Sequence, residues 1–231
     1  MNIFIIHKII TFKEEAMQNI KAVIFDLDGV LVDTAKYHYL AWKRLAEELG
    51  IEFSVEDNER LKGVSRMHSL EIILEIGNTT LDYDKKIELA EKKNIWYVDY
   101  ISKLTPEDIL PGVLGFLEST KANSIKVALG SASKNSMLIL DKLNLTNYFD
   151  AIIDGTKVSK AKPDPEVFLK GAEALKVLPS QCIVFEDAEA GVEAAINAGM
   201  HCIGIGSKNI LKKADLVLSG FSDMTFDKLE L

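Results

Sequence analysis

Two aspartates one residue apart, Asp26 and Asp28, stand directly after the apolar run Ala22 to Phe25 and directly before Gly29. The end of a buried parallel strand is where open α/β sheets bind their ligands. A carboxylate there is able to attack phosphorus, giving an aspartyl-phosphate and dividing one difficult transfer into two easier ones. Two carboxylates, a phosphate and an attacking oxygen repel one another unless a cation intervenes. Mg²⁺, which takes oxygen ligands and keeps several waters, suits that task. A second acidic pair, Glu186-Asp187, follows a second apolar run, Cys182 to Phe185. One acidic strand end is commonplace; two in one chain are what a shared metal and phosphoryl site needs. Ser131 follows the run Ile125 to Leu129, where its hydroxyl and nearby amides are suited to hold a phosphate at a helix start. Lys162, beside Pro163, offers a fixed positive charge to offset charge on a transferring group. Taken singly, Ser131 reads equally as a helix cap and Lys162 as a solvated surface residue.

The elements that must position these groups are visible as periodicity. Strand candidates at 22–25, 125–129, 151–154, 182–185, 201–205 and 216–218 interleave with helical stretches near 113–122, 134–144, 165–176 and 188–198. Such alternation predicts an α/β fold with a doubly wound, Rossmann-like parallel sheet. Asp164 is expected to N-cap a helix whose first residue is Pro165, and Gly199 to close another. Between the first strand and the rest the pattern is helical. Ala41, Leu45 and Leu49 recur four apart beside Trp42 and Ala46, with Gly50 as the stop. Further helices are expected near 66–76 and 84–103. The insert, 33-107, is expected to stand over the strand ends as a helical cap domain, the core domain being 17-32 and 108-231.

Composition sets broader limits. With 231 residues, 48% of them apolar and 27% charged, the chain has ample length to bury a core. A formal net charge of −8 argues against general nucleic-acid binding. In the N-terminal extension, 1-16, the apolar run Ile3 to Ile6 is broken by His7 and Lys8. It is too short to span a membrane and poorly matched to a signal peptide. Met17 is a candidate start, and the extension is expected to be dispensable. Cys182 and Cys202 sit inside apolar runs and are expected to be buried, reduced thiols. No membrane association and a cytoplasmic location are expected.

In the order Asp26-x-Asp28, Ser131, Lys162, Glu186-Asp187, the chain resembles the haloacid dehalogenase-like phosphotransferases over nearly everything after residue 18. The resemblance implies Asp26 as nucleophile and Asp28 as general acid/base. It also implies Mg²⁺ held by Asp26, the Asp28 main-chain carbonyl and the Glu186-Asp187 pair. To donate a proton Asp28 must be protonated when needed; burial beside another carboxylate favours that state, and Mg²⁺ opposes it.

The insert resembles, more narrowly, the β-phosphoglucomutases within that family. The residues that carry this are Leu61-Lys62-Gly63-Val64-Ser65-Arg66 with Ser69, then Asp33-Thr34, His38 and Trp42, and the run Ser131-Ala132-Ser133-Lys134-Asn135. These enzymes, Mg²⁺-dependent phosphomutases of the isomerase class, interconvert β-D-glucose 1-phosphate and glucose 6-phosphate. They do so through β-glucose 1,6-bisphosphate, which also primes the enzyme, and an aspartyl-phosphate. A bisphosphate that binds in two orientations needs a second phosphate site, and the guanidinium fork of Arg66 matches phosphate oxygens. Ser133, Lys134 and Asn135 are expected to complete that site from the core side. Trp42, Gly63, Val64, Ser65, Ser69 and Ala132 are expected along the substrate pocket. The resemblance further implies that His38 orients Asp28 and that the cap lysine Lys93 joins the same network, so that cap closure readies Asp28 only over sugar; Thr34 is expected among the catalytic residues. Ordinary alternatives are a surface ion pair for Arg66 and a half-buried helix position for His38. Met67-His68 departs from the acidic residues common at that spot, and Gly130 from alanine; His68 is expected near the second phosphate. The partners implied are small-molecule sugar phosphates, and the implied state is a monomer. A sugar-phosphate phosphatase on the same scaffold shares every core motif, and a non-catalytic protein retaining the fold is a third reading.

Overall fold

Four consecutive apolar residues make β1 (Ala22–Phe25) a strand buried on both faces, as parallel sheets require. In the computed structural model, which describes residues 19–61, 64–222 and 224–229, β1 lies at the centre of a six-stranded sheet. Its neighbours are β2 (Lys126–Gly130) and β4 (Cys182–Glu186). Outside them lie β3 (Ala151–Ile153), β5 (His201–Ile205) and β6 (Leu216–Leu218). The order is β3-β2-β1-β4-β5-β6, with all pairs parallel. The chain builds outward from β1 to β3 and then returns to the other side for β4. The switch therefore falls between β1 and β4, the position where such sheets bind ligands. Phe25 lies opposite both Leu129 and Phe185 in register. Asp26, Ser131 and Glu186 consequently emerge together at one edge.

Helices cover both faces. On one, Phe116 of α5 (Val113–Ala122) packs with Phe25, Phe185 and Phe221; the Phe25 and Phe185 rings stack at 4.9 Å. On the other, Ile24, Ala128 and Val184 meet Phe168 of α7 (Glu166–Leu175) and Val192 of α8 (Glu189–Asn197). Cys182 and Cys202 are free and buried in this second layer.

Above the strand ends lie α1 (Ala35–Glu48), α2 (Val55–Glu59), α3 (Arg66–Ile76) and α4 (Tyr83–Ile101). They enclose a core of their own around Trp42, Leu45, Phe53, Leu70, Ile73 and Leu89. The chain enters and leaves this layer through adjoining segments: Val32 bridges Ile109, and the Leu110 N–H donates to the Leu31 carbonyl at 2.9 Å. We propose this junction as the border of a cap domain spanning 33-107. Among the described residues, no helix is long and apolar enough to cross a membrane.

Some expectations need correction. Helix α2 was not expected, although Ser54 and Asp57 form a capping box, each side chain accepting from the other's backbone N–H at 3.1 and 2.9 Å. The helix expected over 134–144 is shorter, α6 (Ser136–Lys142), because Ser133 and Asn135 are taken up in turns before it. Pro165, not Asp164, occupies the N-cap position of α7, yet the Asp164 carboxylate still accepts from the Glu166 N–H at 3.0 Å. Gly50 and Gly199 end their helices with φ of +69° and +70°, a conformation glycine adopts without penalty. The extension 1-16 lies outside the described residues.

Candidate active site

The floor of the site is made by strand ends. Asp26 continues β1, and its N–H donates to the Phe185 carbonyl of β4 at 2.9 Å. Lys162, buried, places Nζ 2.6 Å from Asp26 Oδ1 and 2.6 Å from Glu186 Oε1. Burial alone would lower the Lys162 pKa, but Asp26 and Glu186 outweigh it and the pKa is raised, so the ammonium is fixed. Glu186 is completely buried, and its Oε2 accepts the Ala188 N–H at 2.9 Å. A Cβ at Gly191 would collide with its carboxylate, so the absence of a side chain there makes room for it. Both oxygens of the expected metal ligand Glu186 are thus engaged, and in this arrangement it positions Lys162. Asp187 is the member of the pair that lines the pocket, its carboxylate against Gly29, where a side chain would clash.

Ser131 leaves β2, donating its N–H to the Ile153 carbonyl at 3.0 Å and accepting the Ser133 N–H on Oγ at 3.1 Å. The turn that follows carries Ala132, Ser133, Lys134 and Asn135 along the pocket wall. Gly130 before it is required by packing: a Cβ would stand 2.8 Å from the Phe168 ring.

Asp28 sits between floor and roof. Thr34, at the N-cap position of α1, does not cap the helix; its hydroxyl donates to Asp28 Oδ1 instead. Burial first, and then the charge of Asp26, push the Asp28 pKa from 3.8 to about 7, against Thr34, Lys162 and Lys93. His38 and Lys93 meet above it, with Lys93 Nζ 2.9 Å from His38 Nδ1. An ammonium has no acceptor, so a charged Lys93 donates and leaves the imidazole hydrogen on Nε2. Burial, followed by the charges of Lys93 and Arg66, holds His38 well below 6.5. Burial and Arg66 hold Lys93 well below 10.5. The Lys93 ammonium also lies 4.5 Å from the Trp42 ring centroid and 4.7 Å from that of Tyr97.

The roof is the cap. Ser65 N-caps α3, accepting the His68 N–H at 3.3 Å, and this sets Arg66 and Ser69 on the pocket side. Arg66 Nη1 pairs with Glu91 Oε2 of α4 at 3.0 Å, so the expected pocket residue is also an ion pair. Floor and roof enclose one cavity of about 430 Å³, lined by Asp26, Asp28, His38, Trp42, Val64, Ser65, Arg66, Ser69, Lys93, Ser131 to Asn135, Lys162 and Asp187. Gly63 lies outside the described residues. His68 is not among the lining residues: it is exposed, with Nδ1 3.8 Å from Glu71, and Met67 takes the place expected for it. Sequence reasoning missed Asn58, Glu91, Asn94 and Tyr97, all on the pocket wall. The last two follow Lys93 by one and four residues on α4, a spacing that could have found Tyr97.

Asp26, Asp28 and Asp187 line the cavity, and Lys162 between Asp26 and Glu186 is the buried ammonium beside them. A set of hard oxygen donors with excess negative charge fits Mg²⁺. Among the described residues no three His, Cys, Asp or Glu side chains close around one point. Such an ion would therefore complete its shell from main-chain carbonyl, water and phosphate oxygen.

A parallel sheet with carboxylates at a strand end, a buried lysine beside them and a helical layer above is the arrangement of the phosphoryl-transfer enzymes the sequence resembles. Residues 20–199 match the haloacid dehalogenase-like hydrolase family, and the chain belongs to it. It is 49% identical over 211 residues to the β-phosphoglucomutase of Bacillus subtilis, covering 90% of this chain and 93% of that one. A phosphorylated carbohydrates phosphatase of Thermotoga maritima is 38% identical over 188 residues, covering 79% of this chain and 83% of the relative. The crystal structure of a β-phosphoglucomutase from Clostridium difficile superposes with a TM-score of 0.87 at 46% identity, covering 90% of this chain and 94% of that one.

Proposed function

We propose that this enzyme interconverts β-D-glucose 1-phosphate and glucose 6-phosphate through β-glucose 1,6-bisphosphate. The observation that carries the reading is that cations from both layers line one pocket. Asp26 and Lys162 belong to the sheet and Arg66 to the helical layer above it, and all three line the same cavity. A guanidinium fork in addition to the lysine at Asp26 suits a substrate that carries a second phosphate.

In this mechanism Asp26 attacks the incoming phosphorus and carries the phosphoryl group as an aspartyl-phosphate. Mg²⁺, held by Asp26, the Asp28 carbonyl and Asp187, with Glu186 behind them, would neutralise charge between carboxylate and phosphate. Lys162, kept charged by Asp26 and Glu186, stabilises charge on the transferring group, and Ser131 and its turn supply donors beside it. Asp28, whose pKa burial and Asp26 raise to about 7 in the metal-free protein, gives a proton to the leaving sugar oxygen and takes one from the attacking hydroxyl. A pKa close to the working pH is what that double task needs. Thr34 holds its carboxylate, while neutral His38 and Lys93 set the polarity above it. Arg66, with Ser133, Lys134 and Asn135, holds the second phosphate while the sugar reorients. The substrate class makes a cytoplasmic location part of the same proposal.

³¹P NMR of the purified protein with β-glucose 1-phosphate, Mg²⁺ and a trace of glucose 1,6-bisphosphate tests this. Glucose 6-phosphate with little inorganic phosphate is the expected product. Dominant release of inorganic phosphate would instead establish the sugar-phosphate phosphatase, the activity named for the Thermotoga relative.

A further inference from the structure

Arg66 and Glu91 come from different helices, α3 and α4, and both line the cavity. The Arg66 side chain is 24% exposed and that of Glu91 61%. A pair this open to water contributes little as a brace. It has a clearer consequence inside the pocket. Burial lowers the Arg66 pKa, and Glu91 is the leading group that restores it, so the carboxylate is the guanidinium's resident counter-ion. The contacts continue past it. Asn94 Nδ2 is 3.4 Å from Glu91 Oε1, and Asn94 Oδ1 accepts from Asn135 Nδ2, in the core, at 3.0 Å. Arg66, Glu91, Asn94 and Asn135 therefore form one polar chain from cap to core, with a candidate phosphate-binding residue at each end.

We propose that Glu91 is a built-in competitor for the second phosphate, occupying Arg66 until a sugar-borne phosphate displaces it. This rests on the reading that Arg66 receives the second phosphate. A phosphate at Arg66 brings up to two negative charges beside Glu91, and the carboxylate, already largely exposed, turns to water. A free phosphate must drive that displacement by itself. A phosphate joined through the sugar to a group already held at Asp26 and Lys162 does so as an intramolecular step at high effective concentration. Glu91 thus lowers occupancy of the Arg66 end by inorganic phosphate more than by the bisphosphate. It is a specificity residue that acts through Arg66.

The test is calorimetric titration of the Mg²⁺-loaded protein with inorganic phosphate and with glucose 1,6-bisphosphate. Wild type, Glu91→Gln, Arg66→Ala and the double variant complete a cycle that isolates the part running through Arg66. Glu91→Gln is expected to tighten inorganic phosphate about three- to tenfold and the bisphosphate by no more than that, with the gain largely lost in the Arg66→Ala background. Glu91→Ala should act in the same direction; tightening by Ala alone would mean relief of crowding and would overturn a charge-based competitor. If Arg66→Ala weakens the bisphosphate while Glu91→Gln leaves phosphate unchanged or weaker, the role of Glu91 is refuted and the mutase reading stands. If Arg66→Ala leaves the bisphosphate unchanged, the underlying reading falls and this one with it.

Discussion

The floor and the roof of the pocket solve the same problem, holding cations in a partly dry site, in opposite ways. On the floor, Lys162 is clasped by two carboxylates at 2.6 Å each and its pKa rises. On the roof, Lys93 has an imidazole and two aromatic faces for neighbours, and its pKa falls. Arg66 has a carboxylate, but one largely exposed to water. The floor is electrostatically satisfied before any substrate arrives, as a site for one invariant chemical step should be. On the roof the compensation is weaker, an imidazole for Lys93 and an exposed carboxylate for Arg66, and an anion entering the pocket is able to replace it. Chemistry is thus assigned to the sheet and selection to the cap.

The largest effects belong to the floor. Asp26→Asn removes the proposed nucleophile, and turnover of every phosphate substrate should fall to background; retained turnover in a steady-state assay would show another group attacking. Asp28→Asn should lower mutase turnover by about 10²- to 10⁴-fold, the usual contribution of a positioned acid/base. The same variant has a stability signature. Because the Asp28 pKa is raised from 3.8 to about 7, the folded, metal-free state keeps a proton that the unfolded state releases across that window. Its contribution is therefore present at low pH and lost as pH rises through 7. In EDTA, Asp28→Asn should raise Tm by several degrees more at about pH 8 than at about pH 5. His38 has the opposite sign, resisting protonation as pH falls below 6.5, so a gain only at low pH would point to the histidine instead.

A sharper contrast comes from paired lysine variants. Lys162→Met leaves Asp26 and Glu186 buried without their partner and should cost about 3–5 kcal/mol in denaturant unfolding. Lys93→Met removes a buried amine that no carboxylate clasps, and should cost little or even stabilise, while mutase turnover falls. Similar stability losses in the two would erase the distinction between floor and roof. The smallest effect is structural: Gly130→Ala sets a methyl group 2.8 Å from the Phe168 ring and should cost about 1–3 kcal/mol by overpacking. An unchanged Tm would show that Phe168 gives way.

The same division decided what could be read from the sequence. The placement of Asp26, Ser131 and Glu186 at one edge of the sheet was legible because each stands at or just after the end of its strand. Lys162 needed only its place in that order. The roof depends on which faces of several helices meet, and this is tertiary information. Arg66, Ser69, Leu70 and Ile73 follow helical spacing, with Leu70 and Ile73 buried in the cap core and Arg66 and Ser69 on the pocket wall. That phase excludes His68, which was expected in the pocket and points to water. Glu91 carries no local signal in the sequence, and only its distance to Arg66 gives it meaning. Glu186 was expected as a metal ligand together with Asp187, from the pair's place after a strand and from the resemblance; its contacts to Lys162 and the Ala188 N–H depend on β4 and the turn after it.

The most direct test compares two activities of Arg66→Ala: mutase turnover with glucose 1,6-bisphosphate, and Mg²⁺-dependent hydrolysis of a small aryl phosphate that reaches only the floor. If the floor performs the chemistry and the roof selects, mutase kcat/KM falls about 10²-fold or more while aryl phosphate hydrolysis stays within about twofold of wild type. Equal losses in both would contradict the division, placing Arg66 in the chemistry or in the stability of the whole site.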